Sequence, residues 1–131
     1  ESASQKSSDW WRQVGAVLVK DGTVALKGFN RHVPSEHTPY FLGDIRDYIK
    51  PGEKSELSSA VHAEESIITK AARRGLSLEG SSIYVTVFPC PRCAKDIALA
   101  GIKKCFFKSG HASFDGLSVL KYFKVEIVLV K

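Results

Sequence analysis

The segment that is most informative about the fold is residues 83–108, IYVTVFPCPRCAKDIALAGIKKCFFK. Residues 83–88 alternate and are rich in β-branched and aromatic types, which predicts a strand. Residues 90–100 follow as a helix, with Pro91 in its first turn and Gly101 past its end. Residues 104–108 predict a second short strand. A strand, a helix and a strand in this order predict a parallel crossover, with the helix lying on one face of a sheet.

The flanking segments add further strands. Residues 14–19 and 23–29 predict two strands, and Asp21-Gly22 between them is a strong signal for a two-residue hairpin. Residues 125–130 predict a last strand. Residues 30–57 carry Pro and Gly without a clean period, which predicts a long loop. Loops of this length are usually functional or mobile, and this loop is expected to lie on the side of the functional site.

Two more helices complete the pattern. Residues 60–74 predict a helix with Ser58 or Ser59 as N-cap and Gly75 past its end. Residues 116–123 predict a helix capped by Asp115. The order β-β-α-β-α-β-α-β predicts an α/β fold with an N-terminal antiparallel hairpin, later parallel strands and helices on both faces of the sheet.

Composition limits the class of protein. With 131 residues, 44% hydrophobic and 25% charged, residues 1–131 are expected to form one globular domain, frayed at 1–8. The net charge of +5 suits nucleotides or nucleic acid, although an ordinary solvated surface explains it equally well. Three cysteines, no signal peptide and no membrane-length apolar run indicate a reducing, cytoplasmic compartment. A chain that starts at Glu1 without methionine is expected to be trimmed or excised from a longer one.

Two short motifs carry the chemistry, His62-Ala63-Glu64 and Pro89-Cys90-Pro91-Arg92-Cys93. Cys90 and Cys93 share one helix face at a helix N-terminus, which favours the thiolate form that binds metal. With His62 they predict a zinc site of three protein ligands. Because a tetrahedral ion keeps its fourth position for water, this number indicates a catalytic centre.

Glu64 is predicted to transfer protons during the reaction. At about 100° per residue it falls within the apolar stripe of its helix, where a carboxylate is expected to have a raised pKa. It would take a proton from the metal's water and pass protons to a ring nitrogen and a leaving amine. The two motifs together have the form of the zinc-deaminase signature.

Other interpretations stay open for these residues. The cysteines could be core residues or a redox pair, and Glu64 could be a structural core carboxylate. A structural zinc site could recruit a fourth ligand from His32, His37 or Cys105. The loop side chains could be solvated or could form a second metal site; those side chains are His32, Glu36, His37 and Asp44.

The chain resembles the cytidine/deoxycytidylate deaminase superfamily over roughly residues 12–131, and its branch of deoxycytidylate (dCMP) deaminases most. Besides the two motifs, the matching segments are RQVGAV (12–17), GFN (28–30), YVTVFPCPRCAK (84–95) and AGIKK (100–104). The resemblance implies a three-layer α/β/α sandwich with a mixed five-stranded sheet. It also implies a Zn²⁺ cofactor, conversion of dCMP to dUMP and ammonia, and a homo-oligomer.

Substrate contacts also come from the resemblance. Asn30 would contact the sugar, or else simply end its strand, and the backbone at Ala63 would meet the pyrimidine edge. His111 and Phe114 occupy the place where the superfamily often stacks an aromatic ring on the base, although Phe114 could equally be core. The loop departs from the Cys- and His-rich segment of dCMP enzymes; its candidates for a phosphate contact are Arg46, Lys50 and Lys54.

Three other functions remain as alternatives. The positive charge, Trp10 and Trp11 suit a deaminase of tRNA adenosine or single-stranded cytidine, but the run at residues 89–96 is less like the tRNA enzymes. A free base or nucleoside is another possible substrate. A structural zinc module is the non-enzyme alternative.

Overall fold

The structure, a computed structural model, describes residues 14–32, 60–110 and 114–130. Strands and helices alternate along these ranges. The strands are β1 (Gly15–Lys20), β2 (Thr23–Phe29), β3 (Arg31–His32), β4 (Ala60–Val61), β5 (Ser82–Val87), β6 (Lys104–Ser109) and β7 (Glu126–Leu129). The helices are α1 (Ala63–Arg74), α2 (Pro91–Leu99) and α3 (Phe114–Tyr122).

The central sheet has five strands in the order β2-β1-β5-β6-β7. β1 is antiparallel to β2 and to β5, while β5, β6 and β7 run parallel. Asp21 and Gly22 join β1 to β2 with φ of 54° and 76°, the left-handed values that a tight two-residue hairpin requires. The predicted mixed sheet, its opening hairpin and its later parallel strands are confirmed.

The described helices pack on one face of this sheet. The two crossovers through α2 and α3 advance in the same direction, so their right-handed connections put both helices on that face. Strand residues at every second position face the helices, and neighbours across the sheet include Leu18, Ile83 and Cys105, all fully buried. On the opposite face Tyr84 and Phe106 stack, with ring centroids 4.3 Å apart.

The start of α1 differs from the sequence prediction. The helix begins at Ala63 rather than at residue 60, so the prediction of Ser58 or Ser59 as its N-cap is wrong. The reason is β4, where Ala60 and Val61 pair with β3 instead of joining the helix. Gly75 ends α1 in the left-handed conformation, as predicted. The same pairing removes residues 31 and 32 from the predicted loop 30–57, of which residues 33–57 lie outside the described ranges.

The last helix is also displaced. α3 spans Phe114–Tyr122 rather than 116–123, so Asp115 lies in its first turn and does not cap it. An acidic residue in the first turn still meets the positive end of the helix dipole. The remaining elements lie within one residue of their predicted bounds. In the described part of the chain, no helix has the length and apolar character needed to cross a membrane.

Candidate metal centre and active site

Two helix N-termini meet at the site. β4 leads directly into α1 through His62, whose φ of −69° and ψ of 154° are those of an extended N-cap. The chain reaches α2 after β5 through Cys90, an N-cap with φ of −64° and ψ of 163°. Both residues therefore lie where unpaired backbone N–H groups concentrate positive potential, which stabilises thiolate sulfur.

The side chains of His62, Cys90 and Cys93 converge from these two ends. His62 Nδ1 lies 3.2 Å from Cys93 Sγ and 3.5 Å from Cys90 Sγ. The three donor atoms all lie within 4.8 Å of one another. A tetrahedral zinc ion with ordinary bond lengths separates a nitrogen from a sulfur ligand by about 3.6 Å. The donor set and its spacing therefore fit zinc.

The structure does not add a fourth ligand from the described residues. Within residues 14–32, 60–110 and 114–130, no other cluster of three or more His, Cys, Asp or Glu side chains has this spacing. Cys105 lies in the hydrophobic core, where burial raises the pKa of its thiol to about 12. His37 lies outside the described ranges, and only the backbone of His32 is described, in β3.

The pKa values of the two thiols are shifted in opposite directions. A hydrogen bond from the Cys93 thiol, aided by His62, lowers the pKa of Cys90 to about 4 despite its burial. The pKa of Cys93 is raised by that same hydrogen bond and by burial. The hydrogen bond to Cys90 raises the pKa of His62. Metal binding at this site must therefore displace the Cys93 proton, which makes metal affinity depend on pH.

Glu64 is buried beside these donors, with 3% of its surface exposed. Burial raises the pKa of its carboxyl to about 7, and the nearby charges of Cys90 and Glu65 act in the same direction. The burial and the raised pKa predicted from the helical pattern are confirmed. A carboxyl that titrates near neutral pH can both accept and donate a proton.

Asn30 lies at the junction between the main sheet and the site. It is 5% exposed, and its Oδ1 accepts a hydrogen bond of 2.9 Å from the backbone N–H of Val14. Its own N–H donates to the Val14 carbonyl at 3.1 Å. Because Arg31 pairs with Val61, Asn30 is next to His62 along the β3–β4 ladder. Asn30 is therefore in register with His62 just beyond the β3–β4 ladder, and its hydrogen bonds with Val14 join the ends of β1 and β2.

The other predicted contact residues are placed less fully. Ala63 is completely buried and begins α1 between His62 and Glu64. Phe114 begins α3, but its side chain is not described. The remaining candidates lie outside the described residues; they are Glu36, Asp44, Arg46, Lys50, Lys54 and His111.

Sequence reasoning missed a pair of charged residues at the site. Glu65 Oε1 accepts a hydrogen bond of 3.2 Å from the backbone N–H of His62. Its other oxygen lies 4.0 Å from Nη2 of Arg92, which belongs to the cysteine helix. A glutamate three residues after an N-cap is a recognised helix-start signal. It was hidden here because the N-cap was expected at residue 58 or 59.

The chain matches one family model and several relatives of known name. The family model described as the cytidine and deoxycytidylate deaminase zinc-binding region matches residues 1–109. The deoxycytidylate deaminase of Enterobacteria phage T4 is 54% identical over 138 aligned positions, which cover 81% of this chain and 70% of that protein. A probable deoxycytidylate deaminase of Caenorhabditis elegans is 33% identical over 105 positions, covering 79% of this chain and 50% of that protein.

Solved structures extend the likeness to the fold. The apo dCMP deaminase of cyanophage S-TIM5 superimposes with a TM-score of 0.75 at 30% identity, covering 98% of this chain and 89% of that one. The same phage enzyme in complex with dCMP and dUMP gives a TM-score of 0.67 at 29% identity, with coverages of 90% and 81%. These similarities confirm the predicted cytidine deaminase-like α/β fold.

Proposed function

Because the chain belongs to the cytidine and deoxycytidylate deaminase family of zinc enzymes, we propose that it deaminates a cytosine nucleotide, converting dCMP to dUMP and ammonia. The observation that carries this proposal is the convergence of His62, Cys90 and Cys93 beside the buried Glu64. The relatives add support for the substrate. One is named a deoxycytidylate deaminase, and another was solved with dCMP and dUMP.

We assign the metal to His62 Nδ1 and to the sulfurs of Cys90 and Cys93. When bound, zinc would act as a Lewis acid and lower the pKa of a coordinated water to about 7. The chain's own part is to hold three donors at the spacing seen here, at two converging helix N-termini. Three protein ligands leave room for a reactant beside them.

Glu64 is the proposed proton carrier. The reaction forms a bond between a water oxygen and C4 of the cytosine ring and breaks the bond from C4 to the exocyclic nitrogen. Glu64 accepts a proton from the water and passes it to ring nitrogen N3, and it then carries the remaining proton of the new C4 hydroxyl to the amine, which leaves as ammonia. Burial raises its pKa towards neutrality, which suits both directions of proton transfer.

The substrate contacts are proposed from the family resemblance, and those of Asn30 and Ala63 also from their positions in the fold. Asn30 next to His62 is the proposed sugar contact, and the buried backbone at Ala63 is the proposed contact for the pyrimidine edge. Phe114 and His111 are proposed to cover the base, and Arg46 to meet the phosphate. These assignments predict that Asn30→Ala raises KM for dCMP more than it lowers kcat.

We also propose that the enzyme works in the cytoplasm as a homo-oligomer. Cys90, Cys93 and Cys105 are free thiols, and thiolate ligands persist in a reducing compartment. Leu99 on α2 and Tyr122 on α3 are 73% and 78% exposed, and a second subunit would bury such apolar surface. Light scattering during size-exclusion chromatography tests the second point, and a monomer at micromolar concentration would contradict it.

The decisive experiment measures ammonia release by the zinc-loaded protein. The substrates are dCMP, dCTP, deoxycytidine, cytosine and a single-stranded DNA containing cytosine. We expect turnover of dCMP and a loss of about 100- to 10,000-fold in kcat for Glu64→Gln, while Glu79→Gln, a change of an exposed carboxylate, stays active. Turnover of the strand or the free base alone would keep the chemistry and overturn the substrate. No turnover of any substrate would overturn the proposed function.

A further inference from the structure

The metal site is assembled from two helices whose ligands are 28 residues apart in the chain. α1 brings His62 and α2 brings Cys90 and Cys93, so their relative placement sets the distance between nitrogen and sulfur donors. The contacts between the two helix starts therefore decide whether the three ligands are held ready for a metal.

Glu65 connects the two helix starts through both of its carboxylate oxygens. One oxygen accepts the 3.2 Å hydrogen bond from the His62 backbone N–H and lies 4.0 Å from His62 Nδ1. The other faces the guanidinium of Arg92 at 4.0 Å. The carboxylate is mostly buried, with 24% of the side chain exposed, so water weakens these contacts less than at an open surface.

Arg92 stands between carboxylates of both helices. Besides Glu65 of α1, it acts on Asp96, which lies one turn further along α2. Burial and the neighbouring Glu65 charge raise the pKa of Asp96, and Arg92 opposes that rise. The guanidinium therefore offsets part of the negative charge of Glu65 and Asp96, on the helix turn that carries the cysteine ligands.

We propose that Glu65 and Arg92 form a clamp that positions His62 against Cys90 and Cys93 for metal binding. Both are positioning residues, and the inference rests on the proposed zinc centre at those three ligands. The clamp affects the positions of the metal ligands more than the stability of the fold. A 4.0 Å ion pair with a 63% exposed arginine adds little to folding, whereas contacts that orient metal ligands commonly change metal affinity about 10- to 100-fold.

The test is a double-mutant cycle on the full chain, with Glu65→Gln, Arg92→Met and the two together. Gln at position 65 still accepts the hydrogen bond from His62 and loses only the charge. Arg92→Met keeps the stem of the side chain and removes the guanidinium. Lys95→Met, which removes a positive charge from the same helix, is the matched control. Zinc affinity is measured by chelator competition, and the ligand geometry by the visible absorption of the cobalt-substituted protein.

The clamp predicts that each single variant weakens zinc about tenfold and that the double variant is no worse than either. Both changes should also alter the cobalt spectrum, while Lys95→Met changes neither property. Unchanged zinc affinity in Arg92→Met, or strictly additive losses, would overturn the proposal. A rise in KM for dCMP with zinc affinity intact would overturn it too, by assigning Arg92 to the substrate. None of the metal measurements needs turnover, so an inactive but zinc-binding protein would refute the proposed function alone.

Discussion

Replacing Glu64 by glutamine should remove activity and at the same time stabilise the metal-free protein at alkaline pH. Glu64 is 3% exposed, and burial raises its pKa to about 7 against 4.5 for a solvated glutamate. At a pH between these two pKa values, Glu64 holds a proton in the folded protein that it has released in the unfolded chain. The contribution of Glu64 to the free energy of unfolding therefore falls as pH rises through this window.

The size of the effect follows from the two pKa values. A difference from 4.5 to about 7 corresponds to about 3 kcal/mol. The free energy of unfolding of wild type relative to that of Glu64→Gln should fall by about 3 kcal/mol between pH 4 and pH 8, because the neutral amide of the variant carries no charge to bury. In the zinc-loaded enzyme the variant should lose about 100- to 10,000-fold in kcat, the usual contribution of a general acid–base group.

Urea denaturation of chelator-treated wild type and Glu64→Gln at several pH values measures the first effect, and steady-state kinetics measures the second. Glu79→Gln controls for removal of an exposed carboxylate and should match wild type in both assays. Equal pH profiles for wild type and Glu64→Gln would refute the buried-carboxyl argument. Full activity in the variant would refute the proton-carrier role.

Three further substitutions test the surrounding structure. Gly28→Ala would place a Cβ 2.7 Å from the Ala63 carbonyl oxygen, so α1 must move. We expect the free energy of unfolding, measured by urea denaturation, to fall by about 1 to 3 kcal/mol and zinc binding to weaken; an unchanged urea midpoint would contradict this. Cys90→Ser should abolish zinc binding, measured as metal content, and should lower the melting temperature because site formation is coupled to folding; retained stoichiometric zinc would exclude Cys90 as a ligand. Asn30→Ala removes the acceptor for the Val14 N–H and should cost about 1 to 3 kcal/mol of stability, which a melting curve equal to that of wild type would disprove.

Much of the fold could be predicted because its signals are local. Asp21-Gly22 demands left-handed backbone that few other dipeptides adopt, so the hairpin is visible without its surroundings. The strand before Cys90 and the helix after it differ in period, and Pro91 marks the boundary. The metal ligands were visible for a similar reason, since donor type and spacing are properties of the chain itself.

The start of α1 could not be predicted in the same way. Ala60 and Val61 fit a helix by their own pattern, and only Arg31 and His32 across the ladder turn them into a strand. That pairing makes His62 the N-cap instead of a residue of the first turn. A local period cannot report a hydrogen-bonding partner that lies far away in the sequence.

Local signals in the chain were enough to predict the candidate metal ligands, the hairpin, the parallel order of the later strands and the burial of Glu64, because each depends on neighbouring residues or on a repeating period. How these ligands meet depends instead on long-range packing. The 3.2 Å approach of His62 to Cys93 and the bridge from Glu65 to Arg92 join helices that the chain connects only through β5. The strength of an electrostatic interaction and the ability of ligand atoms to share a metal both depend on distances in space, and packing of the whole domain sets those distances.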